Sequence, residues 1–149
     1  MLDVAAALEL PAPPPDPFEP NDGIEQIEPH GVLPTAKAPL TTPEQRRAVL
    51  HARLGVTDDP RDVYRVWVPA RHRTIATLRS AQAVDLRLLG TPAPGVGGRR
   101  PSRNVLAIAN SSRTGTYVYL SVYLPIDAMP QAARYRLGVT TIRQGQGQG

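Results

Sequence analysis

Two short acid-bearing stretches hold the side chains best suited to chemistry. In Phe18-Glu19-Pro20-Asn21-Asp22-Gly23-Ile24, three oxygen-bearing side chains fall close together, and Asp59 and Asp62 stand just ahead of a tyrosine-bearing strand. Calcium takes about 6–8 oxygen ligands from carboxylates, amides and carbonyls. Glu19, Asn21, Asp22, Asp59 and Asp62 are therefore a candidate calcium set if the fold brings the two stretches together. The competing reading is a turn at Asn21-Asp22-Gly23, with the acids capping backbone amides.

Nucleophilic catalysis needs a nucleophile, a base and a group that orients the base. The histidines are His30 in a Pro/Gly loop, His51 on the outward side of a strand, and His72 between strands. Ser111 and Ser112 read as a turn. None of these residues has the setting of a catalytic group, so the expectation is a chain without its own catalytic site. Pro94-Gly95-Val96-Gly97-Gly98 lacks the lysine and hydroxyl residue of a phosphate loop and reads as a flexible loop. Tyr117, Tyr119 and Tyr123 share one side of a strand. Such a stripe either offers a binding platform for sugars or peptides, or packs partly beneath its neighbours with the hydroxyls in water.

The elements that must position these residues alternate with period two. Residues 2–10 read as a short Ala-rich helix, ended by Pro11, and residues 11–20 as an extended proline-rich spacer. Residues 21–42 are loop-like. A strand is expected from about Arg47; the rival is a helix capped by Thr42-Pro43-Glu44-Gln45. Tyr64, Val66 and Val68 then face one way and Arg65 and Trp67 the other, and Val84, Leu86 and Leu88 oppose Asp85 and Arg87. Residues 91–102 read as a long Gly/Pro loop. Residues 104–110, 115–124 and 134–141 read as strands, the middle one the strongest. About seven to eight strands without a helical period predict an all-β antiparallel sandwich. The expected division is 1–10 helical, 11–42 linker and lead-in loop, 43–142 sandwich and 143–149 a disordered Gly/Gln tail.

Composition bounds the function. The net charge of +4 over 149 residues comes from positive charge that is almost all arginine, scattered along the chain without a Lys/Arg block. That pattern favours solvated sheet faces over nucleic-acid binding. The chain has no cysteine, which excludes disulfides and Cys-based zinc sites. Met1 to Leu10 lacks the basic start and apolar run of a signal peptide, and no run approaches the ~18 apolar residues of a membrane span.

The order of segments resembles the bacterial pre-peptidase C-terminal domain. The resemblance rests on Glu19-Pro20-Asn21-Asp22, Asp62-Val63-Tyr64-Arg65-Val66-Trp67-Val68-Pro69 and Asp85-Leu86-Arg87-Leu88. It continues with Gly115-Thr116-Tyr117 through Val122 and with Tyr135-Arg136-Leu137-Gly138-Val139. Pro60 stands where the family has an acid, and a single tyrosine replaces its aromatic pair. Leu2 to Leu10 is similar to the last helix of subtilisin-like catalytic domains. Together these imply a jelly-roll type sandwich, non-catalytic, behind the catalytic domain of a secreted subtilisin-like serine protease in the same polypeptide, aiding export, folding or substrate attachment. Relatives that bind calcium do so at such acidic segments. The alternative is a stand-alone module for extracellular protein fibres or polysaccharide, using the exposed Tyr/Arg sheet face.

Overall fold

A computed structural model describes residues 21–27, 39–57, 59–125 and 132–144. Among the described residues one short helix, α1 (Ile24–Ile27), precedes eight strands. These are β1 (Ala48–Gly55), β2 (Arg61–Val68), β3 (His72–Ser80), β4 (Asp85–Leu89), β5 (Val96–Ser102), β6 (Val105–Asn110), β7 (Thr116–Tyr123) and β8 (Ala132–Arg143). They form a five-stranded sheet in the order β1-β8-β3-β6-β5 and a three-stranded sheet in the order β2-β7-β4, with every pairing antiparallel. The chain is all-β, built as two facing antiparallel sheets.

Period-two burial builds the interior. Tyr64, Val66 and Val68 of β2, Leu86 of β4 and Val118, Leu120 and Val122 of β7 point from the small sheet. Leu54, Ala76, Leu78, Leu106, Ile108, Tyr135, Leu137 and Val139 answer from the large one. Each large side chain buried this way contributes roughly 1.5–3 kcal/mol. The pairs β1–β8, β2–β7 and β3–β6 nest inside one another in sequence. A β4–β5 pair would continue the nest, but β5 pairs with β6 instead, so the sheets divide five and three.

The strand expected from about Arg47 is β1, and other expectations need correction. Residues 91–102 are not one loop: Val96 is buried, and Val96–Ser102 pairs with β6 through a register shift between Arg99 and Ser102. Glycine and arginine hide this strand from a hydrophobic pattern. Residues 21–42 are not only linker. Asn21 and Thr41 are buried, and α1 packs on β2, so the sandwich unit reaches forward of residue 43. Thr42 to Gln45 does form reciprocal bonds, Thr42 N–H to Gln45 O at 2.9 Å and Gln45 N–H to Thr42 Oγ1 at 2.9 Å, but they close a turn that leads into β1 rather than a helix. The expected helix at 2–10, the spacer at 11–20 and residues 145–149 of the expected tail lie outside the described residues; Arg143 instead ends β8, and the Gln144 amide donates to the Arg71 carbonyl at 3.3 Å.

Candidate functional site

The outer side of the small sheet gathers the aromatic stripe. Register places Trp67 opposite Tyr117, Arg65 opposite Tyr119, and both Arg61 and Asp85 opposite Tyr123. Diagonal neighbours on a sheet lie within reach of long side chains. The Arg65 guanidinium therefore stacks 4.7 Å above the Tyr117 ring, and that of Arg87 stacks 4.9 Å above Tyr123. Trp67 meets Tyr117 edge-on at 4.9 Å between centroids. All three stripe tyrosines are half-buried. Arginine already covers a ring face of Tyr117 and of Tyr123, so this side offers guanidiniums and phenol edges more than bare rings. Asp85 also receives Arg103 at 2.9 Å and Arg100 at 4.0 Å, fastening β4 to the β5–β6 hairpin across the two sheets.

The five candidate calcium ligands take different roles. Asn21 is buried and laces β2: its carbonyl accepts the Val63 N–H at 2.6 Å, and its Nδ2 donates to the Val63 carbonyl at 3.3 Å. Asp22 is exposed, and its backbone carbonyl accepts Arg61 Nε at 2.8 Å. Asp59 forms a backbone bridge with Gly55 through bonds of 2.8 and 2.9 Å. Asp62 turns into the interior, where Tyr135 donates to its Oδ2. Glu19 lies outside the described residues. Among the described residues no three His, Asp or Glu side chains converge as metal ligands.

The buried polar groups tie the sheets together. Tyr135 of β8 donates to Asp62 of β2 and shares a 2.5 Å hydroxyl contact with Tyr64. Burial raises the Tyr135 phenol far above its usual range, and neighbouring Tyr64 and Asp62 push it the same way, so it stays protonated. At the other end of the molecule Asn110 of β6 donates to the Val68 carbonyl at 3.1 Å and the Thr114 carbonyl at 2.9 Å. Its Oδ1 accepts the Ser112 amide at 3.0 Å and the Ser112 hydroxyl at 2.6 Å. Ser112 is thus a turn residue engaged by Asn110, and Ser111 Oγ donates to the Gly95 carbonyl at 3.0 Å. His51 is exposed on β1, and His72 opens β3 with its Nδ1 2.7 Å from the Ala70 carbonyl. His30 lies outside the described residues.

The sequence pointed to a Tyr/Arg sheet face but not to which arginine stacks on which ring. The signal was present, since Arg65 and Arg87 have outward parity, yet the stacking follows only from cross-strand register. No family model, curated protein or solved structure matches the chain. The resemblance to the pre-peptidase C-terminal domain accordingly rests on its sequence motifs.

Proposed function

We propose that this chain is a non-catalytic accessory sandwich from the C-terminal part of a secreted subtilisin-like serine protease, aiding its folding, export or attachment to substrate. The supporting observation is the lacing of residue 21 onto β2. Asn21 directly follows a proline-rich stretch of the sequence, and its bonds to a strand edge suit a unit carried behind another domain. The five ordered motifs and the subtilisin-like helix of the sequence support the same parentage. Translating the genomic DNA ahead of Met1 tests it. The expected result is an open frame with a Gly-Thr-Ser-Met-Ala-type segment upstream. An in-frame stop close before Met1, with no such segment, overturns the reading.

A second reading is favoured by the stacked Arg65–Tyr117 and Arg87–Tyr123 pairs. They hold guanidiniums and phenol groups at fixed spacing on a sheet, suited to hydrogen bonding along a protein fibre. A stand-alone module of this kind is retained on insoluble collagen-like protein, and Arg65→Ala with Arg87→Ala reduces that retention. A chain that passes through such a column unretarded leaves only the folding and export role.

A further inference from the structure

The five strands of the large sheet contain no Asp or Glu, yet they carry Arg53, Arg73, Arg79, Arg99, Arg100, Arg134, Arg136 and Arg143. Alternation sends most of these outward. His51, Arg136 and Arg79 stand side by side across β1, β8 and β3, and Arg53 faces Arg134 in the next row. Neighbouring strands lie about 4.8 Å apart and successive outward residues about 7 Å apart. The rows thus fall within one Debye length of ~10 Å at 0.1 M salt. Like charges directly opposite one another destabilise a sheet. Among the described residues Arg79, Arg134 and Arg136 have no ion pair; those recorded run from Arg100 and Arg103 to Asp85. A face shaped for solubility alone intersperses both signs. This one does not.

Two open depressions border these arginines. A basin of about 820 Å³ is lined by His51, Arg53, Arg79, Gln82 and Arg134. A second depression of about 210 Å³ adjoins it, lined by Arg47, Arg79, Arg136, Thr77 and Thr140. Arg79 borders both, and the two depressions, here called the trough, are lined by residues of β1, β8 and β3.

We propose that this trough binds an acidic polysaccharide, a linear chain of carboxylated sugars. Arginine's planar fork pairs with carboxylates through two parallel hydrogen bonds. Thr77 and Thr140 supply uncharged groups suited to sugar hydroxyls. Tyr135 borders the basin but is buried, its hydroxyl turned to Asp62 and Tyr64, so β1, β3 and β8 expose no aromatic ring on which bases would stack. It also presents no helix to enter a DNA major groove. Both observations place nucleic acid second. The inference is independent of the proposed protease parent and of the small-sheet face.

Affinity of the whole chain for polygalacturonate, for its neutral methyl ester and for duplex DNA tests the proposal. Polygalacturonate is expected to bind at low salt and to be released as salt rises, while the methyl ester passes through. The pair Arg79→Glu with Arg134→Glu is expected to weaken binding by about tenfold or more, whereas Arg87→Glu on the opposite sheet changes it by less than about twofold. If the Glu pair lowers the melting midpoint, Arg79→Gln with Arg134→Gln replaces it. Equal binding of the methyl ester, no binding of polygalacturonate, tighter binding of DNA, or an unchanged affinity in a folded trough variant each overturns the proposal.

Discussion

Tyr135 shows how one side chain couples the two sheets to the pH scale. Its hydroxyl joins Asp62 and Tyr64 of the opposite sheet, and burial holds it protonated. An unfolded tyrosine ionises near pH ~10. Below that pH both states keep the proton and nothing is lost. Above it the unfolded chain releases a proton that the fold retains, so stability falls as pH climbs past ~10. Tyr135→Phe leaves Asp62 without that donor and is expected to cost about 1–3 kcal/mol at neutral pH. Chemical denaturation at pH 7 and at rising pH reads both effects, the variant losing stability less steeply on the alkaline side. Gly115 is a second pressure point: an added Cβ would lie 2.1 Å from Trp67 Cζ2 and 2.7 Å from its Cη2. Gly115→Ala must displace that ring, at about 1–3 kcal/mol for an overpacked site. Trp67 is the only tryptophan in the chain, so a shifted emission maximum reports the displacement directly.

At the scale of elements, β2 is an edge strand of the small sheet that does not behave as an open edge. Besides the Asn21 contacts, Leu40 N–H donates to the Arg65 carbonyl at 2.7 Å, and Thr41 Oγ1 accepts the Trp67 amide at 2.8 Å. Unpaired strand edges invite association, and this lacing closes one. Thr41→Val removes an acceptor and leaves a partly buried N–H, which is expected to cost about 1–3 kcal/mol. Hydrogen exchange of the Trp67 amide should then accelerate well beyond that of Leu120 in the neighbouring strand. The strands with apolar alternation were legible in the sequence because one burial periodicity defines them. The strand Val96–Ser102 was not, since glycine and arginine carry no apolar signal and only pairing with β6 reveals it. The helix Ile24–Ile27 is a single turn, capped where Gln26 Oε1 accepts the Asp22 and Gly23 amides at 2.5 and 3.3 Å and packed on β2, and a single turn is too short to show a helical period.

Viewed whole, the molecule separates its charge in a way that its linear order conceals. Arginines that look scattered every few residues converge once β1, β8 and β3 lie side by side. That face was illegible because each strand's alternation gives parity but not neighbours. The tyrosine stripe, by contrast, sits on one strand and could be read at once. Mutual repulsion on the arginine face predicts that the melting midpoint rises between ~10 mM and ~150 mM salt, as screening shortens the reach of each charge. Arg136→Gln should raise the midpoint at low salt and flatten that dependence. A scanning calorimetry series in sodium chloride measures both.

The lacing along β2 also sets a mechanical path. Tension applied at Asn21 meets first its own bonds and then the edge of a three-stranded sheet whose inner side is sealed by the apolar interior. A sandwich towed from its front would part with that seam before any strand was drawn from the core, and a short sacrificial extension would precede global rupture.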